Sequence, residues 1–233
     1  MHTGILYIVA TPIGNLEDIT FRAVWTLKEV DLIFCEDTRV TKRLLDKYNI
    51  TAETRSFYKS SGSGARKPQA NFEYILSELG SGKDVAFVTD AGTPGISDPG
   101  NTLAEKVLAE GFAVMPIPGV SALTTLVSVS GIDLTQFVFL GFPPHKKGRE
   151  TYFKKLLSYD IPVIYYESPH RLIKNLELLS VIASEAKQSR NIILGRELTK
   201  MFEEVIRGSA EDILRYFEEN KGKVKGEFVI IVY

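Results

Sequence analysis

The stretch from Val85 to Gly100, VAFVTDAGTPGISDPG, determines how the rest of the chain is interpreted. Its first five residues have the composition of a buried strand, and a loop of small residues, glycines and prolines follows from Asp90. Such a loop lets backbone groups approach a ligand closely, because little side-chain bulk intervenes. In open α/β sheets, ligands usually bind at the carboxyl ends of strands. The pattern predicts a ligand-binding loop here, and an ordinary turn between a strand and a helix is the alternative.

The composition is that of a globular protein with one large domain or two small ones. The 233 residues are 44% hydrophobic and 24% charged, with a formal net charge of −1. No apolar run approaches the roughly 18 residues of a membrane span, and the N-terminus lacks the features of a signal peptide. Cys35 is the only cysteine, and the three histidines show no metal-ligand spacing. We therefore expect a cytoplasmic protein without metal or membrane partners.

Strand and helix patterns alternate through the first half of the chain. Strands are predicted at 5–9, 31–35, 55–58, 85–89 and 112–117, with helices at 20–30, 41–48, 69–79 and 102–110. This order is typical of a parallel, doubly wound sheet.

The second half is predicted to form another α/β lobe. Its strands are expected at 137–140, 162–166, 191–194 and 227–232. Its helices are expected at 121–131, 149–158, 172–183 and 210–219, the last with a capping box of Ser209 and Asp212. We place the domain boundary between residues 117 and 118, which gives domains 1–117 and 118–233.

Four predicted strands end in polar clusters: Thr11–Asn15, Glu36–Arg39, Asp90–Asp98 and Glu167–Arg171. We expect the clusters to meet in a cleft between the two lobes. The common nucleotide and hydrolase signatures do not fit, because ATPIGN follows the first strand where GxGxxG would stand, and Pro99 replaces the second glycine of a GxSxG motif. The residues alone therefore predict a two-lobed α/β protein with a cleft.

Eight motifs then narrow the interpretation; in chain order they are LYIVATPIGNLEDIT, EDTRVTKRLL, VTDAGTPGISDPG, PGVSA, FLGF, YYESPHRL, GRELTK and GEFVIIV. They closely resemble the bacterial ribosomal RNA small-subunit methyltransferase I family, part of the tetrapyrrole-methylase superfamily. That family methylates the ribose 2′-hydroxyl of a cytidine in small-subunit ribosomal RNA. The resemblance implies two α/β lobes with S-adenosylmethionine in the cleft between them. It also implies a homodimer, to which the apolar helix at 120–129 is a candidate contributor.

The resemblance also implies the residues of the cofactor pocket. They come from the first loop, the glycine-rich loop, the start of the next helix and the end of a later strand: Ile13, Gly14, Asp90, Ala91, Gly92, Thr93, Pro94, Ile96, Ser121, Ala122 and Glu167.

Methyl transfer to a hydroxyl needs a group that removes its proton. The candidate bases are Glu36, Asp37, Glu167, His170 and Glu197. Nearby cations could hold phosphates or lower the pKa of a neighbour, namely Arg39, Arg171, Arg196 and Lys200. The alternative for each of these residues is an ion-pair network between the lobes.

Because the net charge is near zero, RNA must be attracted by local basic clusters. The candidates are Lys146, Lys147 and Arg149, then Lys59, Arg66 and Lys67, then Arg39, Lys42 and Arg43. A solvated surface loop is the alternative for each cluster. For the whole chain, the alternatives are a related methyltransferase acting on a tetrapyrrole or a protein residue, and an RNA-binding module without catalysis.

Overall fold

The computed structural model describes residues 3–57, 68–98, 100–186 and 190–233. The chain divides into two compact units, Met1–Ser121 (unit 1) and Ala122–Tyr233 (unit 2). The domain boundary between residues 117 and 118 stays a prediction. Among the described helices, none combines the length and the apolar character needed to cross a membrane.

Unit 1 is a five-stranded parallel sheet with helices between consecutive strands, as predicted. Its strands are β1 (Ile5–Val9), β2 (Leu32–Cys35), β3 (Glu53–Ser56), β4 (Val85–Val88) and β5 (Ala113–Ile117). Its helices are α1 (Phe21–Glu29), α2 (Thr38–Lys47), α3 (Pro68–Gly80) and α4 (Gly100–Ala109). The strand order is β3-β2-β4-β1-β5, and every pairing is parallel.

Both faces of the sheet are covered at its three central strands, which explains why β1, β2 and β4 are nearly continuous apolar runs. Alternate residues of β2 enter different cores: Phe34 packs in the core that includes α3 and α4, and Ile33 packs in the core that includes α1 and α2. Phe87 and Ala86 of β4 divide in the same way. The prediction of a doubly wound sheet is therefore confirmed.

Several boundaries in unit 1 differ from the sequence prediction, most of all those of α2 and β3. Helix α2 begins at Thr38, three residues before the predicted start, because the Asp37 carboxylate accepts a 2.9 Å hydrogen bond from the backbone N–H of Arg39. The predicted strand at 55–58 is instead Glu53–Ser56, in parallel register with β2.

Unit 2 is a mixed five-stranded sheet. Its strands are β6 (Val138–Phe139), β7 (Val163–Glu167), β8 (Ile192–Arg196), β9 (Glu204–Gly208) and β10 (Phe228–Val232). Its helices are α5 (Ala122–Ser128), α6 (Arg149–Leu157), α7 (Leu172–Glu185) and α8 (Ala210–Glu219). The order is β6-β7-β10-β8-β9; only β6 and β7 pair in parallel among its described strands.

Sequence reasoning missed β9 entirely and ended β8 too early. Gly195 and Arg196, predicted to follow the strand, are its last two residues and are buried. The helix predicted to reach residue 131 ends at Ser128. The capping box is confirmed, since Ser209 and Asp212 exchange the expected hydrogen bonds at the start of α8.

Candidate active site

The carboxyl ends of β1, β2 and β4 bring together the three predicted polar clusters of unit 1. Thr11 and Gly92 exchange two backbone hydrogen bonds of 2.9 and 3.0 Å, which join the loops after β1 and β4. The backbone N–H of Asp37 donates to Asp90 Oδ1 over 2.9 Å. The N–H of Asp90 lies 3.4 Å from Glu36 Oε2. These bonds hold the Asp90–Asp98 loop against the residues that follow β1 and β2.

The loop from Asp90 is fixed by its own side chains. Gly92 and Gly95 have φ values of +83° and +95°, a region that favours glycine. Asp98 Oδ1 accepts hydrogen bonds from the N–H groups of Gly95 and Gly100, at 2.6 and 2.9 Å. Thr93 Oγ1 donates to the carbonyl of Val120 over 2.9 Å. These hydrogen bonds hold the backbone of the loop in a defined curve.

A Cβ atom added at Gly92 would lie 3.4 Å from Ile13 Cγ2 and 3.7 Å from the carbonyl oxygen of Val120. A methyl group would therefore just fill the space beside Gly92. A longer side chain would need space that a molecule bound to the loop would also occupy.

The predicted cofactor residues differ in their exposure. Ala91 and Gly14 are exposed, whereas Ile13, Pro94 and Ser121 are buried. Asp90, Thr93, Ile96 and Ala122 are partly exposed. Ser121 ends unit 1, and Ala122 begins unit 2.

Glu36 and Asp37 follow β2 next to each other, but their carboxylates have different surroundings. Burial raises the pKa of Glu36, as do the charges of Asp90, Asp98 and Asp37, and these outweigh the opposing effect of the hydrogen bond from the Asp90 N–H. Asp37 instead caps α2, and its oxygens accept hydrogen bonds from Arg39 Nε and Nη2 at 3.1 and 2.7 Å. A carboxylate whose pKa is raised and whose fixation is weak is suited to accepting a proton.

A small cavity adjoins Asp90. Its volume is about 40 Å³, and it is lined by Thr11, Pro12, Leu16, Val40, Thr41, Leu44, Thr89 and Asp90. That volume accommodates about three water molecules and not a nucleoside.

Glu167, at the end of β7, has a different environment. Its side chain has no exposed surface, and Arg171 Nε lies 3.3 Å from Oε1. Oε1 also accepts a 2.7 Å hydrogen bond from the Ser168 N–H, and Oε2 accepts one from Asn175 Nδ2. Both oxygens are thus bound inside unit 2. His170 is exposed on the turn that follows.

Arg196 cannot hold a phosphate as predicted, because its guanidinium is bound within unit 2. Only 2% of the residue is exposed. Nε donates to the carbonyl of Lys223 over 2.7 Å, and Nη1 donates to the carbonyl of Phe202 over 2.9 Å. Nη1 also lies 3.4 Å from Glu204 Oε2. Arg196 therefore links the ends of neighbouring strands.

Glu197 belongs to an ion-pair network within unit 2. Lys200 Nζ lies 2.9 Å from both Glu197 Oε1 and Glu227 Oε2. Burial acts to raise the pKa of Glu197, but the hydrogen bonds from Lys200 and the Glu227 N–H prevail and lower it.

The predicted RNA-binding residues belong to different elements of the two units. Lys146 and Lys147 are exposed between β6 and α6, and Arg43 is exposed on α2. Arg149 begins α6, and its Nη1 donates to Asn175 Oδ1 over 3.3 Å. The remaining three, Lys59, Arg66 and Lys67, lie outside the described residues.

Sequence reasoning missed Asn175, which is buried and binds both Glu167 and Arg149. A signal was present: an asparagine on the apolar face of α7 needs polar partners when buried.

Comparisons with known proteins agree with this architecture. Residues 5–214 match the family model described as Tetrapyrrole (Corrin/Porphyrin) Methylases. The chain is 46% identical over 230 residues to "Ribosomal RNA small subunit methyltransferase I" of Borrelia garinii subsp. bavariensis, covering 97% of each chain. The chain belongs to this family. Its relatives of the same name in Thermotoga maritima and Bacillus subtilis are 43% and 40% identical over 98% of the chain, and cover 98% and 75% of those relatives.

A solved structure described as a cobalamin biosynthetic enzyme, cobalt precorrin-4 methyltransferase, matches 97% of the chain and 94% of its own length. Its TM-score is 0.71 at 17% identity, so this likeness concerns the fold alone. The predicted family membership and the α/β tetrapyrrole-methylase fold are both confirmed.

Proposed function

We propose that the chain transfers a methyl group from S-adenosylmethionine to the ribose 2′-hydroxyl of a cytidine in small-subunit ribosomal RNA. The observation that carries the proposal is identity of 40–46% over nearly the whole chain to relatives named as methyltransferases of that RNA. The hydrogen-bonded Asp90–Asp98 loop beside a cluster of carboxylates supports it from the structure.

The glycine-rich loop fits the cofactor. Its backbone turns back at Gly92 and Gly95, and the partly exposed Thr93 and Ile96 offer a hydroxyl and an apolar surface. S-adenosylmethionine supplies an electrophilic methyl group on a positively charged sulfur. The carboxylates of Glu36, Asp37 and Asp90 would favour that charge.

Glu36 is the proposed general base. Glu36 would accept the proton of the ribose hydroxyl as its oxygen bonds to the methyl carbon; the bond between that carbon and the sulfur would break, which would leave the cofactor as a neutral thioether. The other acidic candidates are occupied: Asp37 binds Arg39, Glu167 is buried with both oxygens bound, and Glu197 pairs with Lys200. His170 is the second candidate, because its exposed imidazole is accessible.

The experiment is methyl transfer from labelled S-adenosylmethionine to small ribosomal subunits that lack the modification. We expect label on the ribose of a single cytidine. Label on a protein or a tetrapyrrole would instead support a related methyltransferase with another substrate. RNA binding without any transfer would support the non-catalytic module.

Gly92→Leu tests the position of the cofactor, with Gly111→Leu as the matched control. Both glycines have positive φ, +83° and +82°, but a Cβ at Gly111 meets nothing within 4 Å. Backbone strain is therefore common to the two variants, and only Gly92→Leu places atoms against the loop's ligand. Calorimetry should show loss of S-adenosylmethionine binding in Gly92→Leu alone. Equal affinity in the two folded variants would contradict this placement.

The cytoplasmic location and the homodimer follow from the same proposal. Light scattering at micromolar concentration tests the dimer, and a monomeric mass would rule it out.

A further inference from the structure

The loop from Gly141 to Gly148, which follows β6 in unit 2, presents an aromatic ring that is supported by edge-to-face and tilted contacts with other rings. Tyr166 of β7 contacts Phe139 and Phe142, with ring centroids 5.0 and 5.4 Å away. Phe142 is 48% exposed. A large apolar ring that is half exposed at the end of an aromatic row can accept another flat group by stacking.

The same loop carries positive charge without acidic residues. His145, Lys146 and Lys147 are exposed, and the segment GFPPHKKGR from Gly141 to Arg149 contains no aspartate or glutamate. Within the described part of the chain, neither lysine forms an ion pair, whereas the next acid, Glu150, is paired with Lys154 at 2.5 Å. The charge of this surface is therefore suited to an anion.

Hydrogen bonds from a backbone N–H and from an arginine side chain hold the loop to the sheet. The N–H of Tyr166 donates to the carbonyl of Gly141 over 3.0 Å. Arg171 Nη1 donates to the carbonyl of Pro143 over 2.8 Å, and its Nε donates to Ser168 Oγ over 2.9 Å. Arg171 is itself paired with the buried Glu167. A surface fixed in this way loses little conformational freedom when a ligand binds.

We propose that this loop binds single-stranded RNA, with an unpaired base stacked on Phe142 and phosphates bound by Lys146 and Lys147. The inference rests on the proposed function and names how that substrate is held. An aromatic platform beside cations is how single strands are bound without base-specific contacts. A second copy of the chain is a poorer occupant, because a symmetric contact would bring Lys146 and Lys147 against themselves.

Phe142→Leu tests the stacking, with Phe137→Leu as the matched control. Phe137 is also exposed, at 37%, but precedes β6 at the opposite end of the strand. We expect Phe142→Leu to weaken binding of a labelled 12-nucleotide single-stranded RNA by roughly 5- to 150-fold, the measured range for loss of one stacked base. Phe137→Leu should bind like the unchanged protein.

The double variant Lys146→Ala, Lys147→Ala tests the phosphate contacts. It should flatten the slope of log affinity against log salt by about 1–2 units, since each phosphate contact with a single strand contributes about 0.7. Phe142→Leu should leave that slope unchanged, because stacking releases no counterions. Lys221→Ala, an exposed lysine elsewhere in unit 2, controls for general charge.

A fluorescent variant reports the contact directly. Trp25 is the only tryptophan, so Phe142→Trp in a Trp25→Phe background places a single reporter on the loop. Single-stranded RNA should quench its emission, and duplex RNA of the same sequence should quench it less.

The outcomes separate this inference from the proposed function. If the unchanged protein methylates ribosomal subunits but Phe142→Leu binds RNA equally well, the inference is overturned and the function stands. If binding depends on Phe142 while no methyl group is transferred, the inference stands and the function fails. A change of oligomeric mass in Phe142→Leu with unchanged RNA affinity would overturn the inference and indicate a second copy.

Discussion

The two sheets both end in acidic residues, but those residues occupy opposite environments. After β2 in unit 1, Glu36 is half-buried among Asp37, Asp90 and Asp98, and their charges help to raise its pKa. After β7 in unit 2, the buried Glu167 is bound by Ser168, Arg171 and Asn175. One carboxylate lies among like charges, whereas the other lies among donors.

The difference shows that a carboxylate at the end of a strand can either take up a proton or stabilise the loop around it. Carboxylates placed close together disfavour their own ionisation, which costs stability and gives a group that can take up a proton. A carboxylate surrounded by donors stabilises the loop around it and has no oxygen left for a substrate. On this basis we propose that the chemistry takes place at the edge of unit 1 and that Glu167 and Arg171 position their loop in unit 2.

The largest expected effect is on the rate of methyl transfer in Glu36→Gln. The amide cannot accept the ribose proton, so the rate should fall by about 10²–10⁴-fold, while S-adenosylmethionine affinity stays within a few-fold. Single-turnover assays with ribosomal subunits measure it. Glu197→Gln is the control, because Glu197 is paired with Lys200 and should change the rate little. A larger loss in Glu197→Gln than in Glu36→Gln would reverse the assignment of the base.

The next effect is on stability in Glu167→Gln. Removing the charge leaves Arg171, whose side chain is 13% exposed, without its acidic partner. We expect a loss of about 3 kcal/mol in unfolding free energy, the lower end of the range for broken buried pairs, because Arg171 keeps its bonds to Pro143 and Ser168. Urea denaturation measures it. Glu150→Gln, which breaks an exposed pair with Lys154, should cost far less, because solvent screens the charges of an exposed pair. Equal losses in the two variants would mean that burial of Glu167 contributes nothing.

The smallest expected effect is on the pH dependence of stability, which should have opposite signs for Glu36 in unit 1 and Glu197 in unit 2. The folded pKa of Glu36 is raised, so its ionisation lowers stability as pH rises above 4.5 through the folded pKa. Glu36→Gln should therefore be slightly more stable than the unchanged protein at pH 7, within about 1 kcal/mol, and the difference should vanish below pH 4.5.

Glu197 should behave in the opposite way. Its folded pKa is lowered, so it contributes stability above pH 4.5 that is lost as pH falls through the folded pKa. Glu197→Gln should be less stable at pH 7. Denaturation curves at pH 4 and pH 7 test both signs, and differences of the same sign in the two variants would contradict the contrast.

The sequence predicted the features of the fold that depend on local patterns of residues. The parallel sheet of unit 1 followed from apolar strands alternating with helices, and α8 was predicted at its observed bounds because Ser209 and Asp212 form a capping box. The juxtaposition of Glu36 with Asp90 followed from parallel strands that end at one edge.

The features that the sequence did not predict depend on contacts between residues that are far apart along the chain. Strand β9 is half-exposed at a sheet edge and lacks a clear alternation, so its pairing with β8 was not evident. Arg196 and Glu167 resembled free site residues because their partners, among them Phe202, Lys223 and Asn175, are brought to them only by the fold.

Hydrogen exchange with and without S-adenosylmethionine tests the central claim most directly, because it locates the cofactor without altering the chain. We expect the cofactor to slow exchange at the amides of Ala91, Thr93 and Ile96, on the loop that follows β4. The amides of Ile192–Arg196 in β8 should be unaffected. Bound cofactor that leaves the three loop amides unchanged and protects only unit 2 would contradict the claim.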